Sequence, residues 1–168
     1  MFTSKTHTIL GRRVLIGLLA LAALTLPMHA AAAGEVPLNG SETGTFQVVG
    51  SCEASGIVVD VTGTGHATQI GKYSIHYREC FVPATGAVTA GSFTLTAANG
   101  DSVFGTYVGQ AVPEGDSSVR FEDPGVITGG TGRFAGATGT LDQSGVANLA
   151  SGDYSANISG SISSLASQ

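Results

Sequence analysis

The chain has 168 residues, of which 25 are glycine and only 11% are charged. Of its seven Lys and Arg residues three lie within the first 33 positions, whereas none of the twelve acidic residues does, so a processed chain has a net charge near −8. Such an acidic domain argues against a basic groove for nucleic acid and against adhesion to anionic lipid, because both need clustered Lys and Arg.

The N-terminus has the order of a signal peptide. Lys5, Arg12 and Arg13 precede an uncharged apolar run at 14–26, and small residues at 30–33 offer a cleavage site. A membrane anchor is the alternative, but a spanning helix needs about 20 apolar residues, and this run has 13. The Arg pair also gives a partial match to a twin-arginine signal. We therefore expect a secreted or periplasmic protein with no membrane span after processing, and we leave the cleavage position open.

Two cysteines, Cys52 and Cys80, lie in the exported part of the chain. An even number of cysteines in an oxidising compartment predicts one disulfide. A metal pair or a catalytic thiol is the alternative, but neither cysteine has a Cys or His neighbour at ligand spacing.

Apolar and polar residues alternate in short runs bounded by Gly, Pro, Asn or Asp, which predicts strands and no helix. Eight strands are predicted, at 42–49, 56–64, 71–81, 88–98, 102–112, 118–128 (interrupted by Asp-Pro-Gly at 123–125), 134–146 and 154–163. Asn99-Gly100 is a strong hairpin signal. Closure removes exposed edges, so we predict an all-β, eight-stranded antiparallel up-and-down barrel of calycin type over 34–168, after a signal peptide at 1–33. A two-sheet sandwich is the alternative.

The third strand has the densest set of chemically useful side chains. Tyr73, Tyr77 and Glu79 share one face and His76 and Arg78 the other, because successive side chains point to opposite faces of a strand. If the first set faces inward, a desolvated glutamate with a raised pKa could act as an acid or a base. If the second set faces inward, the histidine and the arginine line the interior. Either set could also be simple core or surface.

The segment 126–140, VITGGTGRFAGATGT, is the most distinctive in the chain. It is no dinucleotide loop, because Ala135 stands where G-x-G-x-x-G needs its third glycine. We predict a tight glycine turn, from which Arg133 and Phe134 leave on opposite faces of the next strand.

This turn resembles the Gly-Gly-Thr-Gly-(Arg/Lys)-(Phe/Tyr) turn of the allene oxide cyclase barrel-like superfamily, which includes the plant dirigent proteins. The segments 63–72 and 93–101 are similar to others in small secreted bacterial members. The resemblance implies an eight-stranded barrel with an apolar central cavity. It does not fix the activity, because members range from cyclases to uncharacterised proteins. No catalytic residue is carried over, since Glu42, Glu53 and Glu79 lie in no matching motif.

Other chemistry has little support in the sequence. No serine lies in G-x-S-x-G, and His66 and His76 have no metal-ligand spacing. Four acids could hold calcium, but an acidic loop is more often only solvated: Glu114, Asp116, Glu122 and Asp123. Asn39 and Asn157 begin formal glycosylation sequons. We predict neither a cofactor nor a bound metal.

Three functions follow from these observations. The first is a barrel that binds a small apolar molecule in its cavity without catalysis. The second is a cofactor-independent cyclase or isomerase that acts on a reactive polyene or epoxide. The third is a structural or assembly protein with a filled barrel. The sequence leaves open whether the chain forms dimers or trimers. The pocket candidates are Tyr73, Tyr77, Glu79, Phe93 and Tyr107.

Overall fold

The computed structural model describes residues 34–53 and 55–163; the predicted signal peptide at 1–33 lies outside the described residues. Within them the fold is the predicted one, a closed antiparallel barrel in which each strand pairs with the next and β8 pairs with β1. The strands are β1 (Glu35–Cys52), β2 (Gly56–Ala67), β3 (Gly71–Val82), β4 (Ala87–Ala97), β5 (Ser102–Pro113), β6 (Ser118–Gly130), β7 (Gly139–Asn148) and β8 (Asp153–Ser163). No described helix is long and apolar enough to cross a membrane.

Side-chain alternation assigns one face of each strand to the interior. On β3 the buried set is Tyr73, Ile75 and Tyr77, followed by the partly buried Glu79, while His76 and Arg78 are exposed. The face with the tyrosines and the glutamate therefore points into the barrel. This resolves the choice that the sequence left open for the third strand.

The two ends of the barrel differ in how they are filled. At one end, which we call the closed end, five large side chains are less than 2% exposed and fill the interior: Leu38, Leu95, Val103, Phe134 and Ile162. At the other, the open end, Val48 is 58% and Leu149 57% exposed, although both line an internal cavity. The described barrel is therefore filled at the closed end and has a cavity that opens to solvent at the open end, which we call its mouth.

The glycine-rich segment fills part of the closed end. Our prediction that Arg133 and Phe134 begin the next strand was wrong. Gly132–Phe134 forms a short 3-10 helix, and the strand β7 starts only at Gly139. Arg133 and Phe134 thus do not begin a strand. Phe134 is fully buried, and the Arg133 guanidinium lies 4.6 Å from its ring centre and donates a 2.8 Å hydrogen bond to the Ile70 carbonyl.

The hairpin predicted at Asn99-Gly100 joins β4 to β5. Its loop has three residues, because Gly100 donates to the carbonyl of Ala97 and Ala97 in turn donates to that of Asp101. Gly100 has φ +90°, the left-handed conformation that the residue closing such a loop adopts.

The predicted disulfide between Cys52 and Cys80 is present, with Cα atoms 6.0 Å apart. It ties the end of β1 to β3 across Gly56, the first residue of β2, whose missing side chain leaves room for both sulfur atoms. In the chain-entropy model, closing a loop of this size stabilises the fold by roughly 3 kcal/mol. The bridge lies at the open end and so holds the rim of the mouth in place.

Candidate functional site

A carboxyl, a glycine and a tyrosine stand in one row on three neighbouring strands inside the barrel. Glu42 on β1 pairs with Gly65 on β2, which pairs with Tyr73 on β3. Since Gly65 has no side chain, the Tyr73 ring lies across it and donates a 3.1 Å hydrogen bond to Glu42. Any Cβ at position 65 would collide with that ring.

Glu42 is the centre of a polar cluster below the cavity. Besides Tyr73, Tyr77 donates to its carboxylate at 3.0 Å, the Gln143 amide donates to it as well, and the Tyr154 hydroxyl lies 3.5 Å away. Burial raises the pKa of Glu42, and these hydrogen bonds oppose that rise because they favour the charged form. The glutamate is 2% exposed and well supplied with donors, as a structural element of the core requires.

The same row is repeated nearer the mouth. Glu79 on β3 pairs with Gly91 on β4, which pairs with Tyr107 on β5. The Tyr107 ring passes over Gly91, and its hydroxyl donates a 2.7 Å hydrogen bond to Glu79. Burial raises the pKa of Glu79, and the single hydrogen bond from Tyr107 opposes the rise. Glu79 therefore has fewer donors than Glu42.

A third row, which crosses the strands in the opposite order, has the carboxyl and the glycine but no tyrosine. The register places Asp123 on β6 opposite Gly109 on β5, and Gly109 pairs with Val88 on β4. Oδ1 of Asp123 lies where a side chain of residue 109 would begin. Val88 has no donor to offer. Gln143, which pairs with Asp123 from β7, turns its amide to Glu42 instead.

Asp123 is consequently a buried acid with an unused oxygen. Its residue is 6% exposed, and Oδ1 has no hydrogen-bond partner among the described residues. Burial first, and the nearby charge of Glu79 second, raise the pKa of Asp123 to about 8. Near neutral pH this carboxyl is thus mostly protonated. The acid form can donate a proton, and the ionised form can accept one.

These groups face a cavity of about 350 Å³ that opens at the mouth. Its polar lining consists of Tyr77, Glu79, Asp123, Gln143 and Tyr154. Its walls are otherwise apolar, formed by Phe46, Ile57, Val59, Val61, Phe81, Val88, Ala111, Val119, Phe121 and Ala147, with Val48, Pro83 and Leu149 at the rim. A concave apolar site with a few polar groups is the usual form of a small-molecule site.

The interior has no basic side chain to balance its acids. All the Lys, Arg and His residues that the structure describes are exposed: His66, Lys72, His76, Arg78, Arg120 and Arg133. Arg78 forms an ion pair with Asp60 on the outer surface at 2.8 Å, and Arg120 pairs with Glu114. The ionisable groups that line the cavity are therefore carboxyls and tyrosine hydroxyls, with no described base among them.

The structure places the five pocket candidates in one part of the barrel. Tyr77 and Glu79 line the cavity. Tyr73 and Tyr107 are buried beside it and donate to carboxylates, and Phe93 packs edge-on against Tyr77 with ring centres 6.3 Å apart. Contact of these residues with a ligand stays a prediction.

Other residues of the site were not among the sequence candidates. Glu42 and Tyr154 alternate in step with the buried apolar residues of β1 and β8. The alternation of the sequence therefore already indicated that both side chains point inward. Asp123 was considered only as part of an acidic loop that could hold calcium. It instead faces the interior, while Glu122 faces outward, and the described residues contain no group of three metal-ligating side chains.

No family model matches the chain, and no curated protein matches it.

We predict that Gly91→Ala destabilises the protein by about 1–3 kcal/mol, the usual cost of overpacking. A Cβ at position 91 would lie 2.5 Å from the Tyr107 ring and would push its hydroxyl away from Glu79. Gly50→Ala is the matched control, because nothing lies within 4 Å of its added Cβ, and it should change stability by less than about 0.5 kcal/mol. Urea denaturation measures both variants, and equal effects would contradict the prediction.

We also predict that Asp123→Asn stabilises the protein at pH 9 and much less at pH 5. The pKa of Asp123 is about 8 in the folded chain against an ordinary 3.8, so the folded state binds the extra proton and stability falls as the pH rises between these values. The amide cannot ionise and escapes this loss. The expected gain at pH 9 exceeds about 1.4 kcal/mol. Urea denaturation at both pH values tests this against the exposed Asp116→Asn, which should show no such trend.

Proposed function

We propose that this protein binds a small apolar molecule in the cavity at the open end of the barrel. The observation that carries the proposal is the 350 Å³ cavity with apolar walls and an open mouth. Eight-stranded barrels of other families hold one small ligand in the same position. Burial of the ligand's apolar surface would supply most of the binding free energy, at about 25 cal/mol per Å².

A filled, purely structural barrel fits the interior less well. The closed end is packed, but the open end is hollow and exposes Val48 and Leu149 at its rim. A structural role gives no reason to bury Asp123 beside an apolar cavity, since its Oδ1 has no partner among the described residues and burying an unpaired polar group is costly.

We infer further that the chain is a distant member of the allene oxide cyclase barrel-like superfamily and acts outside the cytosol. The antiparallel eight-stranded barrel and its apolar cavity support the kinship that the glycine-rich segment suggested. The disulfide between Cys52 and Cys80 supports an oxidising compartment.

Ligand binding can be tested with N-phenyl-1-naphthylamine, a neutral probe that fluoresces in apolar surroundings. The probe should bind the wild type, and Ala147→Leu should weaken binding at least about tenfold, because residue 147 lines the cavity and the larger side chain occupies it. Ala150→Leu makes the same change in an exposed turn and should bind as the wild type does. Equal binding by the two variants would place the probe outside the cavity.

A second candidate is a cofactor-independent isomerase or cyclase, favoured by the protonated Asp123 at the cavity wall. Its carboxyl could donate a proton to an epoxide oxygen as the C–O bond breaks. The resulting carboxylate could then remove a proton from the neighbouring carbon as the double bond forms. Glu79 and the tyrosines would hold the ligand in place for this step.

Limonene oxide, an apolar epoxide, can test the second candidate by gas chromatography of its allylic alcohol products. Because the active form is the acid, the rate should fall as the pH rises through about 8, the pKa of Asp123. Asp123→Asn should abolish turnover, and Asp116→Asn should retain it. If the wild type shows no rate above that of buffer, this epoxide is not a substrate and only binding remains supported.

A further inference from the structure

The Oδ1 atom of Asp123 is buried but forms no hydrogen bond with any described residue. On one side of it lies Gly109, and beyond that Val88, where each of the other two rows has a tyrosine. On its other side Gln143 donates to Glu42. A buried polar atom that is left without a partner lowers the stability of the folded state. A hydrogen-bond donor on a bound molecule would restore this stability.

A molecule bound in the cavity can supply a donor to the carboxyl of Asp123, although the Oδ1 atom of that carboxyl itself packs against Gly109. Asp123 lines the cavity together with Glu79, and both residues stand within apolar walls. The two carboxyls are near enough for the charge of Glu79 to raise the pKa of Asp123. A donor group placed between Asp123 and Glu79 could therefore bond to both carboxyls. A ligand that enters the cavity would also displace water from this region.

The charge of that donor follows from the interior as a whole. Three carboxyls, those of Glu42, Glu79 and Asp123, face the inside of the barrel, and no described Lys, Arg or His does. An anionic ligand would be repelled by whichever of these carboxyls is ionised and would meet no balancing positive charge, in a region of low dielectric constant. A neutral hydroxyl would satisfy one oxygen only. An ammonium group has three donors and a positive charge, and can serve both carboxyls in charge-assisted hydrogen bonds.

We propose that the cavity selects an apolar molecule with a protonated amine, which donates hydrogen bonds to Asp123 and Glu79. This inference rests on the proposed binding function and adds to it the chemical class of the ligand. The hydrocarbon part lies against the apolar walls, and the ammonium group replaces the tyrosine that the third row lacks. Fatty acids, with the same apolar part and the opposite charge, are excluded.

Three probes with the same eight-carbon chain separate the contributions of the walls and of the carboxyls: octylamine, octan-1-ol and octanoate. At pH 7.5 the first is a cation and the last an anion. Isothermal titration calorimetry of the full protein should give octylamine roughly tenfold tighter binding than octan-1-ol, as expected for hydrogen bonds to a charged group, and octanoate the weakest.

Two variants decide where the preference arises. Asp123→Asn should lose most of the preference for octylamine over octan-1-ol. Asp116→Asn removes the same charge from an exposed loop and should keep it. Glu79→Gln is a second test of the pair and should weaken octylamine binding in the same direction. Circular dichroism confirms that each variant is folded.

The outcomes separate this inference from the function on which it rests. Equal binding of the three probes, or tighter binding of octanoate, overturns the amine inference and leaves apolar binding intact. A preference for octylamine that Asp123→Asn retains also overturns it, because it then arises from the acidic outer surface. If none of the three binds the wild type, the proposed function and the inference fail together.

The affinity for octylamine should also depend on pH. Asp123 is faced by Glu79 from β3 and Tyr107 from β5, and it binds the ammonium group best once its own proton has left. The affinity should therefore rise between pH 6 and pH 8, while that for octan-1-ol stays constant. A constant octylamine affinity over this range would contradict the proposed contact.

Discussion

The interior of an eight-stranded barrel is just wide enough for its own side chains or for one small ligand, and this constraint decides where the protein can be hollow and where it can be polar. The chain meets it by setting glycines beside its largest inward residues. Tyr73 lies across Gly65 and Tyr107 across Gly91, so each ring spans a whole strand to reach a carboxyl two strands away. Without those glycines neither hydrogen bond could form inside the barrel.

The hollow part of the barrel lies where this filling stops. Towards the closed end Phe134, held by the Arg133 contact to Ile70, completes a tightly packed core. Towards the mouth some inward positions carry smaller side chains, such as Val88 and Ala111, and a cavity of about 350 Å³ remains between them and the other strands. The disulfide fastens β1 to β3 at this same end, where internal packing contributes least. Cross-linking the rim thus supports the end that the cavity weakens.

The sequence predicted much of the fold because alternation is a local signal. The period of two on β3 already separated Tyr73, Tyr77 and Glu79 from His76 and Arg78, and only the direction of the barrel axis was missing. The glycine-rich segment misled, because a run such as GGTGRF is compatible with both a hairpin turn and a 3-10 turn. Burial of Phe134 favours the second, and burial is a property of the assembled barrel.

Asp123 could not be assigned from its neighbours in the chain for a similar reason. Asp-Pro-Gly is typical of a turn, and Pro124 cannot donate to a strand ladder. In the barrel these residues lie in β6 at a stretch where the pairing with β5 is interrupted, so the missing donor of Pro124 is tolerated and Asp123 keeps its inward direction. The position of Asp123 opposite Gly109, with Val88 beyond it, depends on the registers of β4, β5 and β6, and no local pattern contains it.

The three buried carboxyls form a series in the number of donors that the chain gives them. Glu42 has Tyr73, Tyr77 and Gln143, and it belongs to the floor of the cavity. Glu79 has Tyr107 alone, and Oδ1 of Asp123 has no partner among the described residues. Core packing explains the first member, but it gives no reason for the last, since a buried unpaired acid lowers stability. The incomplete third row is therefore the part of the barrel that folding alone does not account for, and the proposed ligand would supply the donor that this row lacks.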